Sequence, residues 1–340
     1  GPFSRTERAS ASRVLRSSNF TTVLCLNSLR LATWGCLQRA PSGHRLRSVS
    51  RVDSIARRAL ASLTGLLLFL QAALVVTGGA VRLTGSGLGC PTWPECTPGS
   101  YTPVPHQVEG QLHAWIEFGN RLLTFALFFA AIATIVAVFR SHRRDLRFLA
   151  LTQILGILAQ GVLGGITVLT NLNPLAVASH FVLSIFLIAA ATSLHSRRHN
   201  PYVRTSSPHV RISQFSFLHL LLSFAVIVVG TLVTGSGPHA GDLKAPRLDL
   251  NIQHIAYLHG GLVALLLLLT IVFYFQGDHR YETKRWLTIF FLLALAQGAI
   301  GYIQYIQGVP ELLVGTHLLG SSLVWIATWR VRLSVVRKPA

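Results

Sequence analysis

Acidic side chains are scarce in this sequence, 11 in 340 residues against 30 lysines and arginines, and methionine is absent altogether. Charged residues of both signs make up only 12% of the chain, 51% is hydrophobic, and mean hydropathy is +0.51. So little charge excludes an ordinary soluble domain, in which about 25% of residues are charged, and makes lipid the solvent for most of the chain. The formal charge of +19 would suit nucleic acid only as a basic face on a folded soluble domain. Here it lies in short clusters between apolar stretches, which excludes a nucleic-acid partner. Cysteine is also sparse, with four residues, two of them in the N-terminal leader. The remaining two thiols, without closely spaced histidines, do not make a zinc site. No physical account attaches to the missing methionine.

What is present is a set of eight long apolar runs, near 59–79, 115–139, 147–169, 174–194, 214–234, 252–275, 286–307 and 310–329. Each is long enough to cross a hydrocarbon core, which takes about 20 helical residues. The runs are unbroken rather than alternating, so they exclude a closed β-barrel. The expected fold is all-α and polytopic. Lysine and arginine collect in the stretch up to residue 58, the 140–147, 195–213 and 276–285 loops and the tail from Arg330, which together hold 26 of the 30. Basic residues stay on the cytoplasmic side of short loops, so both termini are expected there, or on the matrix side in an organelle. Arg82, Lys244 and Arg247 fall on the opposite side, and Arg121 lies inside a span.

The chain repeats itself. Ala159-Gln160-Gly161-Val162-Leu163-Gly164 in the third span recurs as Ala296-Gln297-Gly298-Ala299-Ile300-Gly301 in the seventh, and the same offset carries His180 onto His317. Thr84-Gly85-Ser86-Gly87 after the first span recurs as Thr234-Gly235-Ser236-Gly237 after the fifth. Two tandem four-helix bundles are therefore expected, related by a pseudo-twofold axis along the membrane normal because each half has an even number of spans. The division is 1–56 as a basic leader, 57–196 as the first half, 197–213 as a linker and 214–335 as the second half. The leader is rich in Arg and Ser, a transit-peptide composition that a disordered basic extension would share.

An imidazole inside a span is costly to place in lipid, so by default it faces the bundle interior and has a function. His180, His259 and His317 each lie about 9–10 Å past the external start of their span, at 1.5 Å per residue. Two histidines at one depth on facing helices can take both axial positions of a haem iron, and His259 with His317 is such a pair. In the first half the repeat sets Asn120 where the second has His259, so His180 lacks a comparable partner and its site is more open. Any single span histidine could instead serve an interhelical hydrogen bond; the repeat favours iron. Glu117 lies one turn before Asn120 on the same face and should point at what that site binds, although an ion pair with Arg121 at i+4 is also compatible. Cys90 and Cys96 flank five residues of an external loop, and the oxidising side makes a disulfide the natural reading, a redox-active one being compatible with a small exposed ring. His254 is expected to be structural. His106, His113, His239 and the loop histidines His142, His195, His199, His209 and His279 are expected to be solvated, with His113 and His239 able to touch the outer side of a site.

These residues resemble the haem A synthase family, in particular its actinobacterial-type members, over roughly residues 57–335. The most specific stretch is Val76-Thr77-Gly78-Gly79-Ala80-Val81-Arg82-Leu83-Thr84-Gly85-Ser86-Gly87-Leu88-Gly89-Cys90-Pro91, followed by Ile116-Glu117-Phe118-Gly119-Asn120-Arg121 and the matched histidines. The resemblance implies oxidation of the methyl group at ring position 8 of haem O to a formyl group through an alcohol. It implies a resident haem b on His259 and His317 as electron relay, and haem O in the first half with His180 on its iron and Glu117 as the catalytic residue near the methyl. Asn120, Arg121 and Arg82 would line the haem sites, and the cysteine pair would form an external disulfide. A haem O synthase would donate the substrate, membrane lipid would surround the chain, the electron acceptor is unidentified, and a homo-oligomer is left open. The location implied is a bacterial plasma membrane, or a mitochondrial inner membrane if the leader is a transit peptide. The chain departs from the resemblance at Asn120, where many members have histidine. A di-haem membrane cytochrome that only moves electrons would use the same histidines without Glu117. A transporter would place its polar groups near the midplane, whereas these cluster near one face.

Overall fold

A computed structural model describes residues 43–199, 202–204, 210–276 and 280–339. The chain divides into two compact units, Gly1–Arg45 and Leu46–Ala340. The transit-like reading of the leader, and His209 and His279, fall outside the described residues.

Eight helices carry the eight expected spans: α1 (Gly43–Leu83), α2 (Gln111–Arg140), α3 (Arg147–Leu169), α4 (Pro174–Ser196), α5 (Val210–Ser236), α6 (Ile252–Phe275), α7 (Tyr281–Ile306) and α8 (Glu311–Val336). All eight are long and apolar enough to cross a membrane, α1 over Arg58–Leu83. The protein is a polytopic helical membrane protein. Helix starts on the side opposite the basic loops follow local chemistry. Asn173 caps α4 by accepting from the Leu175 amide at 3.0 Å, with Pro174 as first helical residue, where its missing N–H costs nothing. Asn251 caps α6 by accepting from the Gln253 and His254 amides, both at 3.1 Å. These two caps set the depth at which His180 and His259 enter.

Two helices outrun the hydrophobic signal. α1 begins well before residue 59, because nothing between Gly43 and Arg58 breaks a helix. α8 continues past residue 329 because its polar end is held. Trp329 donates to Ser193 Oγ at 2.7 Å, Arg330 to Ser196 Oγ at 2.6 Å and to Glu282 at 3.1 Å, and Arg332 to Ser216 Oγ at 2.6 Å. One short antiparallel ribbon, β1 (Tyr202–Arg204) with β2 (Arg337–Pro339), ties the linker to the tail. It is an addition to the all-α expectation, and hydropathy carries no trace of it.

Packing falls into three main apolar clusters. One joins α1, α2, α3 and α4 through Leu60, Leu67, Leu127, Ala131, Ile157 and Leu194. A second joins α5 to α8 through Phe215, Leu266, Phe273, Phe290 and Val331. The third lies where α1, α4, α5 and α8 meet, through Val75, Ile185, Ile188, Phe224 and Trp325, and Trp325 donates there to the Ile185 carbonyl at 2.7 Å. Large apolar side chains such as Phe69, Phe129 and Phe275 point outward, as a lipid-facing surface requires.

Candidate functional site

The three span histidines share one arrangement. His180 on α4 lies against Gly164 of α3, His259 on α6 against Gly230 of α5, and His317 on α8 against Gly301 of α7. A Cβ added at these glycines would stand 3.4, 3.2 and 3.3 Å from the respective ring Cε1 atoms, so the rings use the space that glycine leaves. Nδ1 of all three is buried without a well-formed hydrogen bond, although the Val226 carbonyl lies beside the His259 ring. The residues as a whole are only half-buried, and the Nε2 edge is the accessible one. With the Nδ1–Cε1 edge packed against glycine, Nε2 is the nitrogen left for a ligand. His259 and His317 lie within electrostatic reach of each other. Among the described residues no three His, Cys, Asp or Glu side chains converge as a metal-holding group.

At the corresponding place in the first four helices Asn120 stands beside Gly78, its Nδ2 4.0 Å from where a Cβ would be. Thr77 Oγ1 donates to Asn120 Oδ1 at 2.7 Å. The amide oxygen is thus committed to α1, and the NH2 group is left as the free donor.

The loop between α1 and α2 folds back over the end of α2. Cys90 and Cys96 form a disulfide with Cα atoms 4.3 Å apart, and both residues are fully buried. Glu117, also buried, uses one carboxylate oxygen to accept from Arg121 at 2.7 Å and the other to accept from the Cys90 amide at 2.7 Å. The ion pair that the i+4 spacing allows is therefore present, and its attachment to the loop is an addition. Arg121 also donates to the carbonyls of Cys90 (3.0 Å), Thr92 (3.1 Å) and Glu95 (3.1 Å). Its guanidinium serves the loop. Trp93 lays its indole on Gly165 of α3, the neighbour of the glycine that seats His180, and Gln107 donates to the Gly89 carbonyl.

Arg82 closes the outer end of α1. Its Nη2 donates to the His239 carbonyl at 2.8 Å, its Nε is buried without a partner, and the Arg247 guanidinium lies within electrostatic reach. His239 Nε2 contacts the Val309 carbonyl at 2.8 Å, and His113 Nδ1 contacts Ser86 Oγ at 2.8 Å. His239, in the loop after α5, and His113, in the first turn of α2, are both hydrogen-bonded, not solvated side chains. His195 corrects the expectation further. α4 runs to Ser196, so His195 is helical, half-buried and 3.3 Å from Thr64 Oγ1 on α1. His254 is exposed and belongs to the α6 cap.

The chain matches the cytochrome oxidase assembly protein family COX15-CtaA over residues 61–241, more than half its length. It belongs to that family. Among its relatives, a protein of Geobacillus kaustophilus named heme A synthase is 33% identical over 114 residues, 33% of this chain and 34% of that protein. One of the same name from Shouchella clausii is 26% identical over 302 residues, 83% of this chain and 96% of that protein. Another from Halalkalibacterium halodurans is 24% identical over 263 residues, 72% and 84% of the two chains. The chain thus aligns with about a third of the Geobacillus protein and nearly all of the Shouchella one.

The sequence reading of this family member missed His219. It is fully buried on α5 between Phe273 and Phe290, with both ring nitrogens unpartnered. Its place inside the fifth run was a signal, but it has no counterpart in the repeat. The Gly230 seat and the Trp93–Gly165 contact were also missed, because both are set by tertiary packing.

Proposed function

We propose that this protein is a haem A synthase, an oxidoreductase that converts the methyl group at ring position 8 of haem O to a formyl group through an alcohol. The observation that carries the reading is the set of glycine-seated histidines at repeat-related positions in a chain of this family. Paired imidazoles in an apolar bundle are a donor set that haem iron accepts. His259 and His317 would hold a resident haem b, which supplies one-electron chemistry when bound. His180 would take the iron of haem O in the first half. Asn120 at the partner position leaves that site with one protein ligand. The Arg82 guanidinium, whose Nη2 is bonded and whose buried Nε lacks a partner, would neutralise a haem carboxylate at the outer rim. Arg121 would act through the loop it binds. Glu117, whose carboxylate is held by Arg121 and the Cys90 amide, would serve the first-half site from its outer end.

In this reading the chain forms two four-helix halves about a pseudo-twofold axis along the membrane normal. Both termini and the basic loops lie on the cytoplasmic or matrix side. The plasma membrane of a bacterium is the location that its bacterial relatives support. A haem O synthase would supply the substrate.

Expression in cells that make haem O but not haem A tests the function, with pigments extracted and identified by mass. Haem A and its alcohol precursor are expected. A chain that carries haem b and leaves haem O unchanged would be the electron-transferring cytochrome instead.

A further inference from the structure

We propose that Glu117 is a positioning residue: with Arg121 it clamps the Cys90–Cys96 loop over the first-half site, and it serves that site through the loop. The inference rests on the reading of the first half as the substrate site. The loop has two prolines, Pro91 and Pro94, and hence few amides with which to build a turn of its own. Within the ring Thr92 Oγ1 donates to the Glu95 carbonyl at 3.0 Å, and the remaining needs of its carbonyls are met from outside. Arg121 does this for Cys90, Thr92 and Glu95 at 3.0–3.1 Å, and Glu117 takes the Cys90 amide at 2.7 Å. One carboxylate and one guanidinium thereby fix four backbone groups spread over the disulfide ring.

The opposite side of the loop is fixed separately. A Cβ on Gly165 would stand 2.6 Å from Trp93 Cδ2, so the indole fits only because α3 carries glycine there. The loop therefore spans from α2 to α3, one residue along from the glycine that seats His180. Both Glu117 oxygens are engaged in charge-assisted or amide bonds at 2.7 Å. A carboxylate held in this way has both oxygens committed to structure and is a strong anchor.

The test compares the full-length purified wild type with Glu117→Gln, Arg121→Gln, the double variant and Trp93→Ala. Two quantities are read: the rate at which a phosphine reductant opens Cys90–Cys96, followed by alkylation and mass mapping, and haem A formed in haem O-producing cells per bound haem b. Low-spin haem b in each variant reports that the second half is folded. Disulfide opening should accelerate roughly tenfold in each single variant, since a broken buried pair releases the loop. The double variant should be no faster than the faster of its two parents, because the two residues act as one unit. Haem A yield should fall in Trp93→Ala as it does in Glu117→Gln.

Glu117→Gln that loses haem A while its disulfide opens at the wild-type rate would overturn the proposal and place Glu117 in the chemistry itself. Trp93→Ala with a freed loop and full haem A yield would overturn it as well. A wild type that forms no haem A would instead sink the substrate reading and leave the disulfide rates to judge the clamp alone.

Discussion

A glycine facing an imidazole is the recurring unit of this protein, and it divides the glycines into two kinds. At Gly301 an added methyl would stand 3.3 Å from His317 Cε1, whereas at Gly298, one turn earlier on the same helix, it would meet nothing within 4 Å. Gly301→Ala should therefore displace the ring and weaken the low-spin haem spectrum, while Gly298→Ala should leave it unchanged. Alanine is the better helix former by about 0.5–1 kcal/mol, so loss at both positions alike would mean that the seats do not matter. His259→Ala and His317→Ala should each abolish the low-spin spectrum, and its survival in both would remove the pairing. Asn120 supplies the converse test. The Thr77 bond that orients it contributes only about 0.6 kcal/mol as an average interhelical hydrogen bond, too little to resist substitution. Asn120→His should then add a second low-spin signal when haem fills the first half, read by optical and electron paramagnetic resonance spectra. No new signal would mean that residue 120 does not face the iron held by His180. The histidines were legible in the sequence because the repeat carries His180 onto His317. Their seats were not, because which glycine meets which ring depends on how α3, α5 and α7 pack.

Among the elements, the spans were the most legible part, since unbroken hydropathy is the direct signature of a helix in lipid. Their polar ends were less so. α8 reaches Val336 through hydrogen bonds of Trp329, Arg330 and Arg332, and α4 takes in His195, neither of which a hydropathy window records. The loop between α1 and α2 was legible in its disulfide and not in its attachment. Its cysteines should be joined in protein isolated without reductant, as mass mapping would read, and free thiols at both positions in active protein would contradict both the loop and its placement on the oxidising side. The i+4 spacing of Glu117 and Arg121 pointed to an ion pair, but nothing local says that the pair reaches a backbone 27 residues away at Cys90.

For the molecule as a whole, the cluster where α1, α4, α5 and α8 meet joins the first four helices to the last four. Two hydrogen bonds, Gly87 to Gly241 and Arg82 to His239, reinforce that junction. A fixed junction suits a division of labour in which one half keeps its haem and the other exchanges it. The account predicts that division, and His180→Ala probes it without touching the second half. That variant should retain its low-spin haem b and form no haem A. The measurement that bears most directly on the central claim is made on the purified wild-type protein supplied with haem O and a chemical electron acceptor in air. The masses of all extracted pigments are followed against time. The account predicts that haem O declines, the alcohol rises and falls, haem A accumulates and haem b stays constant per protein. Haem O that remains unconverted while haem b is reduced and reoxidised normally would contradict it.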